Sequence, residues 1–166
     1  MEIMSHSQLD VHAGNGRVDT DSPTNRVVAT LHGLLPQGSA VALAWDDAVL
    51  GQGDCVSPGA DGLRGAVRGL LAGAPLPGGL RQPLVERWTD GDDGARIVVL
   101  AEIDASFSDA QRQAWLGTAH ALVAAVLVSL RQGVQIEQLE RAKRLQRALF
   151  EIADLAGSDL EMPQML

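Results

Sequence analysis

The chain has 166 residues, of which 46% are apolar and 20% charged, a balance typical of a globular domain with or without an appendage. Its net charge of −8 argues against binding to nucleic acids or anionic membranes, since both need a positive field. The single cysteine excludes an intramolecular disulfide and a cysteine metal cluster, and it fits a reducing cytoplasm.

The first predicted elements are a helix and a hairpin. Ser22 is suited to an N-cap and Pro23 to the first helical position, and apolar residues at helical spacing follow them. The apolar run 39–47 predicts a buried strand. Residues 48–56 predict its hairpin partner, although glycines weaken the strand signal there.

The middle of the chain predicts a short helix followed by a second hairpin. The apolar stripe of that helix is formed by Leu63, Val67, Leu70 and Leu71. After a Gly/Pro-rich connector, the β-rich runs 83–89 and 95–103 flank the turn "DGDDG". The second run is continuously apolar, which predicts a central strand covered on both faces. The predicted fold class is therefore α+β, with an antiparallel sheet flanked by helices.

A single long helix is predicted for the rest of the chain. Ser108 and Gln111 have the spacing of a capping box, and Gly157 suits the end of the helix. Such a helix would be about 70 Å long at about 1.5 Å per residue. Since that is about twice the width of the remaining globule, part of the helix must stand clear of it.

The apolar spacing along this helix predicts two short coiled-coil segments. Each follows a 4-3-4 pattern, the first with Val123, Leu127, Leu130 and Val134, the second with Leu145, Leu149, Ile152 and Ala156. The 11-residue step between them is a stutter in the heptad repeat. We predict a parallel homodimer through these positions. The alternative is that the helix packs on its own sheet, which is the preferred interpretation for 114–130 because alanines widen the apolar face there.

The order of elements, together with the tail "RLQRALFEIADLAGSDLEMPQML" (144–166), resembles a bacterial sensory family. The order is similar to that of a compact GAF domain. The tail resembles the segment that opens a second GAF domain in proteins ending in GGDEF or GGDEF–EAL domains, which make or degrade cyclic di-GMP.

The polar, Gly/Asp/Ser-rich start of the chain predicts a disordered tail (1–21). For the rest of the chain the resemblance implies three segments. These are a GAF-like sensory and dimerisation domain (22–134), a coiled-coil signalling helix (135–157) and the start of a following domain that is cut short (158–166). The implied function is regulatory: the helix relays conformational signals to cyclic di-GMP output domains. The alternative is a degenerate GAF domain that serves as a protein-protein interaction scaffold and binds no small molecule.

The resemblance also implies where a ligand pocket would lie, between the sheet and the short helix over it. The corresponding residues are Trp45, Cys55, Arg64, Arg68 and Trp88. The preferred interpretation of the two tryptophans is as core or interface residues, and that of Cys55 as a structural or incidental thiol. His120 is interpreted as a histidine at the margin of the core. The alternative is that it ligates haem.

No catalytic, metal or cofactor site is predicted. The sequence shows no paired acid and base, no activated nucleophile and no metal-binding histidine motif, so we expect no enzyme activity. The longest apolar run, 121–130, is about half of the ~20 residues that span a bilayer, which predicts no membrane insertion. A cytoplasmic location is expected.

Overall fold

The computed structural model describes residues 21–91, 94–104 and 106–158. Seven elements follow along the chain: α1 (Pro23–Gly33), β1 (Ala40–Asp47), β2 (Gly51–Val56), α2 (Gly62–Leu71), β3 (Leu84–Asp90), β4 (Ala95–Glu102) and α3 (Asp109–Ser158). They match the predicted elements in type and order, and the α+β prediction is confirmed. The predicted N-terminal tail up to residue 20 and the predicted following domain from residue 159 lie outside the described residues, as does part of the β3–β4 turn.

The four strands form one antiparallel sheet in the order β2-β1-β4-β3. β4 lies in the interior of this sheet, and every residue from Ile97 to Ala101 is at most 3% exposed. The prediction of a strand covered on both faces is therefore confirmed.

Strand alternation divides the core between the two faces of the sheet. On one face, Leu43 and Val99 pack against α1 and α3. On the other face, Ala44, Val98 and Leu100 pack against the apolar stripe of the short helix α2. The sheet is thus the middle of three layers, with two helices on one side and a single 10-residue helix on the other.

Both predicted helix starts have the expected caps. The Asn25 amide donates to Ser22 Oγ at 3.2 Å, and Pro23 occupies the first turn. At the start of α3, the Gln111 amide donates to Ser108 Oγ at 3.2 Å, and the Ser108 amide donates back to Gln111 Oε1 at 2.8 Å. This reciprocal pair is the predicted capping box.

The helix α3 has 50 residues, and less than its full length is used by the globular body. Trp115 anchors its first turns, with Nε1 donating to the Leu31 carbonyl of α1 at 3.0 Å. Val134 is the last half-buried residue, and every residue of 135–157 is exposed. We call 135–157 the free half of α3; at about 1.5 Å per residue it projects about 34 Å from the body.

Within the described residues one helix, α3 over Asp109–Gly157, is long and apolar enough to cross a membrane, by length and composition only. Its most apolar 18-residue window has a mean hydropathy of 1.5. Core helices of soluble proteins share this length and composition. Several apolar residues of α3, including Val123 and Leu127, lie on its sheet-facing side and pack in the core between α3 and the sheet.

Candidate functional site

The structure divides the five predicted pocket residues between the two faces of the sheet. Cys55 belongs to the core beneath α1 and α3, and Trp45 and Trp88 pack against that same core. Arg64 and Arg68 lie on α2, on the opposite face. Strand alternation therefore places Cys55 on the other side of the sheet from Arg64 and Arg68, so these three residues do not share one pocket.

Cys55 is a core thiol. Its side chain is 6% exposed and lies beside Thr24 of α1. Burial, opposed by the hydrogen bond with Thr24, raises the pKa of Cys55 to about 12. The thiol is therefore neutral near pH 7 and unsuited to nucleophilic or redox chemistry, which supports the interpretation as a structural residue.

Trp88 and His120 fasten α3 to the edge strand β3. Their rings stack with centroids 4.3 Å apart and planes inclined by 27°. His120 Nδ1 also lies 3.8 Å from Glu86 Oε1. Trp88 Nε1 is buried without a hydrogen-bond partner among the described residues. In the described part of the chain no three or more His, Cys, Asp or Glu side chains converge to hold a metal ion.

The α2 face of the sheet carries an open cavity of about 360 Å³ beyond the end of α2. It is lined by Trp45, Gln52, Gly53, Asp54, Arg68, Leu71, Ala72 and Arg96. Of the predicted pocket residues, Trp45 and Arg68 both line this cavity. The Trp45 indole lies over Gly53 of the edge strand β2. Asp54 is nearly buried and pairs with both Arg64 and Arg68.

A second open cavity of about 270 Å³ lies alongside the first and shares Leu71 and Arg96 with it. Its other lining residues include Arg87, for which the described residues provide no ion-pair partner, and Trp88. Arg96 itself pairs with Asp46. The uncovered end of the α2 face thus presents three exposed guanidinium groups around two small cavities, chemistry that suits an anionic group.

A third cavity, of about 560 Å³, lies at the opposite end of the sheet between α1 and α2. Its polar groups are already satisfied by the protein. His32 Nε2 hydrogen-bonds the Ser39 carbonyl at 2.9 Å, and Arg81 pairs with Glu102 and Asp104. The arginine-lined end differs from this cavity by Arg87, an arginine without an ion-pair partner among the described residues.

An ion-pair network joins α3 to the sheet just before the helix leaves the body. Arg131 pairs through Nε with Asp47 Oδ2 and through Nη1 with Asp90 Oδ2, at 3.0 Å for the second contact. The other oxygen of Asp47 accepts the amides of Val49 and Leu50 at 2.7 and 2.9 Å. Burial alone would raise the pKa of Asp47, but these amides and the Arg131 guanidinium outweigh it and lower that pKa.

Sequence reasoning did not find this network. Its members come from the end of β1, the end of β3 and the middle of α3, and no local motif connects them. The only signal in the sequence is that Asp47 and Asp90 each end a strand just before a hairpin turn.

The predicted dimer positions fall into two groups. Val123 and Leu127 are at most 1% exposed, in contact with the chain's own sheet, so they offer no surface to a second copy. This corrects their assignment to a dimer interface and agrees with the alternative of intramolecular packing over 114–130. Leu130 and Val134 are half-buried.

The rest of the predicted positions lie on the free half of α3 and are open. Leu145, Leu149 and Ile152 are 58% to 64% exposed. Four further large apolar side chains of the free half are equally open, namely Ile136, Leu139, Phe150 and Leu155. The free half therefore presents apolar surface on more than one side, which isolated solvated helices do not.

Comparisons of the chain with protein-family models, with curated proteins and with solved structures give no match.

Proposed function

We propose that the chain is a regulatory sensory and dimerisation module, in which two copies pair through α3 and relay conformational changes along it to output domains. The observation that carries the proposal is the free half of α3, a bare helix with seven large apolar side chains 57% to 69% exposed. The resemblance to GAF domains suggests cyclic di-GMP synthesis or breakdown as the output, in a bacterial cytoplasm.

The free energy of pairing is the balance of two opposing terms. Burial of a Leu or Ile side chain stabilises by roughly 1.5–3 kcal/mol, so three such residues from each copy contribute on the order of 10 kcal/mol. Association costs roughly 4–15 kcal/mol in lost translational and rotational freedom. Because the two terms are similar in size, a change in the globular body is able to shift the pairing of the helices.

The relay needs an input, and two features supply candidates for it. The arginine-lined cavities on the α2 face are the surface best suited to a small ligand. Asp46 and Asp47, adjacent on β1, link that face to α3: Asp46 pairs with Arg96 of the cavity, whereas Asp47 pairs with Arg131 of the helix. A displacement of the β1 end by a ligand would therefore act on the helix close to where it leaves the body.

The alternative function is an interaction scaffold whose body binds another protein and no small molecule. The observation that favours it is the modest size and openness of the arginine-lined cavities, in which Arg68 and Arg96 already pair with internal carboxylates. Binding of a partner would then use the open α2 face or the edge strands β2 and β3.

The relay is tested in a fusion in which α3 continues into a cyclic di-GMP cyclase domain. Deletion of four residues within 135–144 rotates the two parts of the helix by roughly 40°, whereas deletion of seven rotates them by roughly 20°. The seven-residue deletion shortens the helix more but rotates it less. Comparison of the two deletions therefore separates the effect of helix rotation from the effect of helix length.

We expect the four-residue deletion to change the cyclase rate and the seven-residue deletion to change it much less. Equal rates for both deletions, at the level of the undeleted fusion, would mean that α3 is a passive tether. Folding of each variant is checked by circular dichroism, so that loss of the body is not mistaken for loss of the relay.

A further inference from the structure

The side of α3 turned away from the sheet carries its own line of large apolar residues. Val128, Leu139 and Phe150 follow one another at 11-residue steps, and each is 43% or more exposed. Eleven residues are three helical turns plus roughly 20°, so the three side chains lie almost one above another. Val128 is five residues from the buried Val123, which places it roughly 140° around the helix from the sheet. We call Val128, Ile136, Leu139 and Phe150 the averted line.

The line predicted from the heptad pattern lies on the opposite side. Leu145 is two 11-residue steps from Val123, so it points roughly 40° from the sheet direction, and Ile152 points there as well. A straight, parallel partner helix in contact with Leu145 would, further towards the body, run through the sheet that Val123 and Leu127 contact. A parallel pair is therefore blocked along the body if it uses this line.

The area available also distinguishes the two sides. A strip of helix about 10 Å wide over 135–157 is about 34 Å long and gives roughly 700 Å² for two copies, below the ~1,000 Å² of a specific interface. The averted side is exposed from Ala121 onwards, including Ala125 and Val128. Over 121–157 the same strip is about 55 Å long and gives roughly 1,100 Å². Pairing along the averted side therefore reaches the size that a stable dimer needs.

We infer that the occupant of the averted line is the same line of a second copy, in a parallel pair with the two sheets on the outer sides. The inference rests on the dimerisation proposed above and names its contact face. An 11-residue repeat is close to the natural helix period, so the two helices remain nearly straight and the bodies do not collide. Lys143, the only lysine of the chain, lies on this face between Leu139 and Phe150. One Lys at a core position specifies the register of a coiled coil at some expense of stability.

Cysteine cross-linking tests the face. In a symmetric parallel pair, a core residue faces its own counterpart, and a disulfide needs Cα atoms within about 7 Å. Leu139→Cys lies on the averted line and Leu145→Cys on the sheet-facing line, and both positions are more than 60% exposed, so neither change disturbs the core. The unsubstituted chain, oxidised in parallel, controls for the buried Cys55.

We expect Leu139→Cys to give a covalent dimer on oxidation with copper phenanthroline. Leu145→Cys should give roughly tenfold less covalent dimer. In the proposed pair the two copies of residue 145 lie on the outer sides of the paired helices, each of which is about 10 Å across. Likewise, Val128→Glu with Leu139→Glu should yield monomers in sedimentation, whereas the charge-matched Leu145→Glu with Leu149→Glu should remain dimeric.

The outcomes separate this inference from the proposed function. If the unsubstituted chain is a dimer but Leu145→Cys cross-links better than Leu139→Cys, or both or neither cross-link, the averted face is wrong and dimerisation stands. If the unsubstituted chain is a monomer at tens of micromolar, the proposed dimer itself fails.

Discussion

Replacement of Arg131 by methionine tests how α3 is held to the sheet. Methionine keeps most of the aliphatic volume but removes the cation from the Asp47 carboxylate, whose side chain is only 3% exposed, and from Asp90. Breaking a buried ion pair costs about 3–5 kcal/mol. Arg131 is 19% exposed and Asp47 keeps its two backbone donors, so we expect the lower figure of about 2–3 kcal/mol.

In thermal unfolding this loss corresponds to a fall of roughly 5–10 °C in Tm for a chain of this size. The matched control is Arg141→Met on the free half, since Arg141 is 75% exposed and 3.9 Å from Glu137. The control should change stability by less than about 0.5 kcal/mol. If the Tm of the Arg131→Met variant is no lower than that of the Arg141→Met variant, the ion-pair network does not hold α3 to the sheet.

The same network has a pH signature. The pKa of Asp47 in the folded chain lies below its ordinary value of 3.8, so its contribution to stability is present above about pH 4 and is lost as the pH falls through the folded value. Arg131→Met removes one of the causes of that lowering. The acid unfolding midpoint of Arg131→Met should therefore move to higher pH, and an unchanged midpoint relative to Arg141→Met would contradict the coupling.

Two further predictions concern the core and the sheet edge. Cys55 should not react with iodoacetamide at pH 7.5 in the folded chain but should react after unfolding; since its folded pKa is about 12 and its ordinary value is 9.0, stability should also fall as the pH rises above about 9. Rapid alkylation of the folded chain would contradict its burial. Gly53→Ala should destabilise the chain and alter Trp45 fluorescence, because the added Cβ overlaps the indole ring, whereas Gly65→Ala in α2, where nothing lies within 4 Å, should stabilise by about 0.4–1 kcal/mol. Equal effects of the two substitutions would show that Trp45 does not lie over Gly53.

The elements of the fold could be predicted from the sequence because their signals are local. The capping box of Ser108 and Gln111, the Ser22–Pro23 start of α1 and the continuous apolar run of β4 each report on a few neighbouring residues. The length of α3 followed from the absence of a firm stop, and that length alone implied a segment outside the body.

The candidate site could not be predicted in the same way, because it depends on which face each residue takes. Cys55 pairs with Leu43 and Trp45 with Gly53 across β1 and β2, a register set by the turn and not by the apolar pattern. Without that register, Cys55 and Arg68 looked like neighbours over one pocket. The contacts of Arg131 with Asp47 and Asp90 join positions 84 and 41 residues apart, which no local pattern reveals.

The two sides of α3 illustrate the same limit. The heptad pattern that begins with Val123, Leu127 and Leu130 marks an apolar seam, and these three residues pack in the core with the sheet and α1. This agrees with the interpretation preferred for 114–130 and not with a dimer interface at these positions. The opposite side of α3, proposed above for a parallel partner, follows from the position of the body and not from the heptad pattern. A periodicity in sequence identifies a buried face and leaves open what buries it.

The proposed dimer is best measured by sedimentation equilibrium of the unsubstituted chain between about 1 and 100 µM. We expect a mass of twice the chain at the upper end and a reversible shift towards one chain on dilution. A mass of a single chain throughout this range would contradict it.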